Sequence, residues 1–300
     1  MKQLALLLGI FLTVKLSMAQ NTKAHKIEVD TWHETRIQNL KMPNGWLNLE
    51  GLFWLHPGKN TFGSAKSNDC YYNNAQFPSY LGDFIFEGDS VVWVNKIQKG
   101  ALVDSVLVPA GKKVTVFKTI EGDRGQAASF SLGQFRWVVI KREDKIGIRF
   151  RNLKSKTLTT FKGIERFPVD ANWKIKARLE QPQQNLLMIT NVLGQTTAQK
   201  NAGTLKFEIE GKTYSLDVID EGGTRYFITF ADATSGKTTY GAGRFIEVNK
   251  PDAQGNTEID FNLAYNPPCA FTEFATCPLP PPQNRLTIEI PVGEKKYGHH

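Results

Sequence analysis

The stretch SFSLGQFRWVVIKREDKIGIRFR, residues 129–151, shows the architecture of this chain most openly. It contains three short runs rich in Phe, Trp, Val and Ile, at 129–132, 135–140 and 145–151. Apolar and polar residues partly alternate in each, and Leu132-Gly133-Gln134 separates the first two. This is the pattern of half-buried strands joined by tight turns, since successive side chains of a strand point to opposite faces.

The same rhythm extends in both directions. Upstream, runs at 46–49, 90–94 and 113–118 fit it, with Glu87-Gly88-Asp89 as a turn. Downstream it resumes at 173–179, 186–190, 203–209, 214–218, 225–230, 240–247, 257–261 and 286–290. Glu210-Gly211-Lys212 and Glu221-Gly222-Gly223 read there as hairpin turns. A strand about every ten residues favours sandwiches and barrels over alternating strand–helix units. One helix is expected, over residues 23–40. Ile27, Trp32, Ile37 and Leu40 line one face, and Pro43 and Gly45 follow its end. That helix is expected to pack on the barrel. Residues 152–160, polar and basic, read as a linker.

The N-terminus has Lys2, an apolar run from Leu4 to Val14 and a small-x-small signal at Ser17-Met18-Ala19, the layout of a secretory signal peptide. Cleavage after Ala19 is expected, giving an exported chain, periplasmic or secreted, of about 280 residues. Its formal charge falls from +8 to +6 when Lys2 and Lys15 leave. The remaining cations are scattered, without a block of five or six, so a nucleic-acid arm is not expected. No later segment reaches the ~18 apolar residues of a spanning helix. The expected organisation is a signal peptide (1–19), a helix and lead-in (20–44), a β-sandwich (45–157) and a β-barrel-like domain (158–300).

Several motifs carry a resemblance. Gly45-Trp46-Leu47-Asn48-Leu49-Glu50-Gly51-Leu52-Phe53-Trp54 opens it, followed by Phe161-Lys162-Gly163-Ile164, Phe230-Ala231-Asp232-Ala233-Thr234-Ser235-Gly236 and Thr239-Tyr240-Gly241-Ala242-Gly243-Arg244. It closes with Tyr265-Asn266-Pro267-Pro268-Cys269, Cys277-Pro278-Leu279-Pro280-Pro281 and Asn284-Arg285-Leu286. Together these resemble the exported bacterial proteins of the uncharacterised family named domain of unknown function 1684. The resemblance implies no activity. A weaker one touches Phe62-Gly63-Ser64, similar in layout to forkhead-associated sandwiches, which bind phosphothreonine. In those domains an arginine follows the glycine and grips the phosphate. Ser64 stands there in this chain, so the resemblance implies the sandwich without the phosphopeptide.

Residues 260–286 hold two of the three cysteines and six of the fourteen prolines. The prolines fix φ and remove donors, which suits a rigid loop capping the barrel. Cys269 and Cys277 can form a disulfide, supply two ligands of a metal site, or include a thiol nucleophile, which needs a nearby base that no sequence-local histidine supplies. The even pair in an exported chain favours the disulfide. Metal binding needs two further ligands, and the histidines show no paired spacing, so no metal is expected. Cys70 is left as a buried thiol.

Around that loop lie the candidate ligand-binding residues Tyr240, Arg244, Asp260, Asn262, Asn266, Asn284, Arg285 and Glu294. Tyr240 and Arg244 would share one strand face, as would Asp260 and Asn262. A planar guanidinium, carboxylates and amides at a barrel mouth suit a small polar, anionic or polyhydroxyl ligand. The alternative is internal pairing, with Asp260 neutralised by Arg244 or Arg285 and the amides satisfying loop backbone. No nucleophile elbow or phosphate-cradling glycine loop is present. The leading expectation is an exported module that binds a small molecule or an envelope component, with a polar pocket at the C-terminal barrel and no cofactor. The alternative is a hydrolase-like enzyme using Asp260 or Glu294 as base and Arg244 to stabilise negative charge.

Overall fold

The structure, a computed structural model, describes residues 2–119 and 125–298, with side chains from residue 22 onward. The signal-peptide residues 1–19 therefore lie outside the described side chains, as do His299 and His300. The chain is mostly β and divides into two compact units. One consists of Lys41–Phe161 with Thr272–Ala275, the other of Met1–Leu40, Lys162–Phe271 and Thr276–His300.

The first unit is a β-sandwich. One sheet orders β1 (Leu49–Trp54), β12 (Lys145–Asn152), β11 (Phe135–Arg142), β10 (Ser129–Leu132), β6 (Leu102–Val103) and β7 (Val106–Leu107). The other orders β3 (Cys70–Tyr71), β2 (Gly58–Gly63), β4 (Gly82–Glu87), β5 (Ser90–Asn95), β8 (Lys113–Thr119) and β9 (Gly125–Ala127). The meander read from residues 129–151 is β10–β11–β12, with Phe130 opposite Trp137 and Trp137 opposite Phe150. Those three rings join Phe62, Phe77, Phe84 and Trp93 in one aromatic core. Such ring contacts each add about 0.5–1.5 kcal/mol beyond their buried area. Ser64, at the forkhead-like position, donates its hydroxyl to the Phe77 carbonyl at 2.7 Å and so pins a turn. Burial, with the Asp69 carboxylate second, pushes the Cys70 thiol up to about 12.

Two expectations in this unit change. The strand expected at 46–49 is displaced to β1, because residues 46–48 form a turn in which the Asn48 amide donates to the carbonyls of Met42 and Pro43. The segment 152–160 is not a free linker. Ser155 accepts from Leu158 N and caps helix α2 (Lys156–Thr160), while its own hydroxyl donates to the Leu47 carbonyl.

The second unit holds a near-barrel, ordered β18 (Arg244–Asn249), β17 (Arg225–Phe230), β16 (Lys212–Ile219), β15 (Thr196–Ile209), β13 (Lys174–Glu180) and β19 (Asn256–Asp260). Strand β14 (Leu186–Thr190) pairs with the first half of β15. The core includes Leu205, Leu216, Val218, Ile228, Phe230, Ile246 and Phe261. Glu210 and Gly211 make the β15–β16 turn with φ of 53° and 74°, the mirror-image type I′ geometry that matches strand twist.

Helix α1 (Lys2–Lys41) brings His25, Val29, Trp32, His33, Arg36, Ile37 and Leu40 to one face, a spacing of three and four residues. Ile27, expected on that face, is 56% exposed. It is two residues from both His25 and Val29, so about 200° round the helix from each.

Three further strand expectations fail in ways that bear on the site. Tyr240 lies in a turn, and β18 begins only at Arg244, so the two do not share a strand face. Asp260 ends β19, and Asn262 sits in the 3-10 turn Phe261–Leu263 that Asp260 caps. Residues 286–290 form no strand, because their polar backbone is used by other groups, described next.

Candidate functional site

The eight candidate residues enter buried polar knots of the second unit, a loop pin and the surface. Arg244 has no exposed side-chain surface. Its guanidinium donates to Asp232 Oδ2 at 2.7 Å, to the Ile290 carbonyl at 2.9 Å and to the Val292 carbonyl. The Ile290 carbonyl belongs to the segment expected as a strand, and the arginine takes the place of a neighbouring ladder there. Asp232 Oδ1 accepts from Thr234 N at 2.8 Å and Thr234 Oγ1 at 2.5 Å, closing a turn with its own side chains. Burial pulls the Arg244 guanidinium below its usual range, and the Asp232 carboxylate opposes that shift.

Asp260 forms the second knot. Its Oδ2 accepts from His25 Nε2 at 2.6 Å, and its Oδ1 accepts from Asn262 Nδ2 at 2.8 Å. Asn262 in turn clasps the backbone of Asp170, accepting from its N–H at 2.9 Å and donating to its carbonyl at 2.8 Å. The partner of Asp260 is thus a histidine of α1, not Arg244 or Arg285.

Glu294 centres the third knot and is 1% exposed. Arg36 Nε donates to Oε1 at 2.6 Å; Asn266 donates to Oε2 from its backbone at 2.7 Å and from Nδ2 at 3.1 Å. Arg36 also donates to the Asn266 carbonyl at 2.8 Å and lies 4.4 Å from the centre of the Tyr265 ring. His33 Nδ1 stands 3.8 Å from Oε1. Desolvation lowers the His33 pKa; Glu294 opposes this, while Arg166 and Arg36 reinforce it.

The remaining candidates stand apart. Asn284 is a loop pin: Oδ1 accepts from Asp217 N at 2.8 Å, and Nδ2 donates to the carbonyls of Asp217 and Thr229. Tyr240 donates to the Cys269 carbonyl at 3.2 Å, and Arg285 is exposed. The expected Cys269–Cys277 disulfide is not formed. Both residues are thiols, and the Cys277 sulfur instead accepts from Cys269 N–H at 3.0 Å. Among the described residues no group of three or more His, Cys, Asp or Glu side chains is placed to hold a metal ion.

A different part of the unit is open to solvent. A cleft of about 890 Å³ crosses β19, β13, β15 and β16. Lys176, Arg178, Lys206, Glu208, Asn256 and Glu258 contribute to its lining. Arg178 lies opposite Lys206 on one neighbouring strand and Asn256 on the other, which gathers two cations and an amide. Glu258 is paired with Lys174 at 3.6 Å, whereas among the described residues no ion pair engages Lys176, Arg178 or Lys206. Sequence reasoning passed over these residues. Their signal was the alternation Lys174-Ile175-Lys176-Ala177-Arg178, which puts three cations on one face of a strand. It also missed His25, His33 and Arg36, whose i, i+8 and i+11 spacing places them on the inward stripe of α1.

Among the described residues no helix is long and apolar enough to cross a membrane. No curated protein matches the chain. An uncharacterized protein of Haloarcula marismortui, solved in solution by NMR, is 26% identical over 46% of this chain and 78% of that one, with a TM-score of 0.39. Residues 159–295 match the model of the family described as protein of unknown function (DUF1684). That match covers just under half of the chain and most of the barrel-like unit, and over it the chain is similar to the DUF1684 family.

Proposed function

We propose that this chain is an exported binding module that holds a small anionic, hydroxyl-rich ligand, such as an acidic saccharide, in the cleft across β19, β13, β15 and β16. One observation carries the reading: Lys176, Arg178 and Lys206 line a single open cleft without ion-pair partners among the described residues. A guanidinium beside two ammonium groups offers planar and point-charge donors to a carboxylate, sulfate or phosphate. Asn256, Thr213 and Thr257 add groups that exchange hydrogen bonds with hydroxyls.

The hydrolytic alternative has less support. Both carboxylate oxygens of Asp260 and of Glu294 are engaged, and Arg244 is sealed from solvent by its own partners. A general base needs access to the proton it removes.

Thermal unfolding of the mature chain with an acidic and a neutral oligosaccharide tests the binding. A ligand at a hundred times its Kd adds about 2.7 kcal/mol to the folded state. The acidic sugar should raise the midpoint of the wild type and leave that of an Arg178→Glu/Lys206→Glu variant unmoved. Equal shifts in both proteins would remove the cleft from the account. Export is tested separately, by sequencing the N-terminus of the protein recovered outside the cytoplasm. It should begin at Gln20; a start at Met1 would count against cleavage.

A further inference from the structure

Cys269 and Cys277 stand at the two feet of the segment 270–276 within the Pro-rich loop, and both feet are tied down. The first lies in the 3-10 turn Pro268–Ala270, and its carbonyl accepts from the Tyr240 hydroxyl. At the second, the Cys277 carbonyl accepts from Val192 N at 3.0 Å, and two residues on Leu279 N donates to the Thr190 carbonyl at 2.8 Å. The two residues meet through sulfur, since the Cys277 thiol takes the Cys269 N–H at 3.0 Å. Their exposure differs: Cys269 is half-buried and within reach of solvent, whereas Cys277 is 4% exposed.

We propose that this pair is a reversible redox site, in which Cys269 is the attacking thiol, Cys277 the resolving thiol, and the oxidant a disulfide of the glutathione or protein-dithiol class. The Cys269 thiolate attacks one sulfur of the incoming disulfide. A mixed disulfide forms there, and the first thiolate of the oxidant leaves. Cys277, having lost its proton to solvent, then attacks the Cys269 sulfur and expels the second thiolate. The pair loses two electrons and two protons, which reduce one disulfide to two thiols. The order follows from access and charge. Cys269 is the more exposed of the two, and the neighbouring Cys277 thiol, helped by Tyr240 and opposed by burial, holds the Cys269 thiol below the ordinary range. A partly exposed, acidified thiol beside a second cysteine is the arrangement of reversible thiol sensors. Closing the bridge would remove Cys277 as acceptor for the Cys269 N–H and fix the two feet covalently. Oxidation therefore acts on the 3-10 turn that carries Cys269.

Glutathione disulfide and intact-protein mass measurement test this on the full mature chain, with Cys70→Ser present to remove the third thiol. Serine keeps an acceptor at 277, and thermal unfolding of each variant checks that the fold is retained, above all with Cys70→Ser in the buried core. The Cys70→Ser protein should lose two hydrogens and carry no adduct at completion. Adding Cys277→Ser should trap one glutathione on Cys269, at a rate at least ~10-fold above that of the protein carrying Cys70→Ser and Cys269→Ser. The rate of trapping should reach half its maximum at a pH below that of free glutathione. An adduct that forms faster on Cys277, a stable adduct without a bridge in the Cys70→Ser protein, or no reaction at either thiol would each overturn the proposal.

Discussion

Arg244 shows how a residue's chemistry is legible while its partner is not. A lone arginine after Gly243 in an apolar barrel must be neutralised, and the internal pairing read from sequence assigned it Asp260. Instead Asp232, in a turn twelve residues earlier, supplies the carboxylate. Turn geometry decides that choice, and alternation along a strand does not encode it. Replacing Arg244 by Leu leaves Asp232 buried and unpaired and releases two backbone carbonyls. The expected loss is about 3–5 kcal/mol in urea unfolding; a loss under about 1 kcal/mol would show that the pair contributes little. His33 makes a pH prediction. Desolvation holds its folded pKa below the unfolded value of 6.5, so the unfolded chain binds more protons in the window between the two. Stability should therefore fall as pH drops through about 6.5 and level off below the folded value. His33→Gln should remove that slope while leaving the acid limb below about pH 4, where Asp30 loses its Lys26 and Arg166 partners. An unchanged slope in the variant would assign it to another group.

Among the elements, hairpins were the most legible. Ser129–Leu132, Leu186–Thr190 and Arg225–Phe230 coincide with the runs read from sequence, because each combines β-branched or aromatic residues with a nearby turn signal. Short strands such as β2, β3, β6 and β7 were not legible, since Gly-Lys-Asn-Thr or two-residue runs carry no period. They exist through pairing with neighbours. Helix α1 was legible as a helix, but its polar inward face was read as apolar. A periodicity argument finds hydrophobic stripes and overlooks a stripe in which His25, His33 and Arg36 meet buried acids. The β15–β16 turn yields a controlled test. Gly211 has φ of 74° with open space around it, so Gly211→Ala should cost about 1 kcal/mol from backbone strain alone. Gly223 also faces open space but lacks a left-handed φ, and its alanine variant should be near neutral. Equal costs in chemical unfolding would contradict the type I′ assignment.

At the scale of the molecule, composition and strand rhythm indicated an all-β protein with a sandwich and a barrel-like part. The proposed binding surface was less visible. The residues singled out by motif (Arg244, Asp260, Asn266, Asn284 and Glu294) hold the second unit together through buried polar contacts. The open cations come from an ordinary-looking strand, whose side chains only become a group when β13 is flanked by β15 and β19. Isothermal titration of the mature chain with an acidic oligosaccharide, at low and high salt, tests that cleft most directly. Binding should appear with the wild type, weaken as salt screens the cations, and vanish in the Arg178→Glu/Lys206→Glu variant while its unfolding midpoint without ligand is retained. Undiminished binding by that variant would contradict the assignment of the ligand to the cleft.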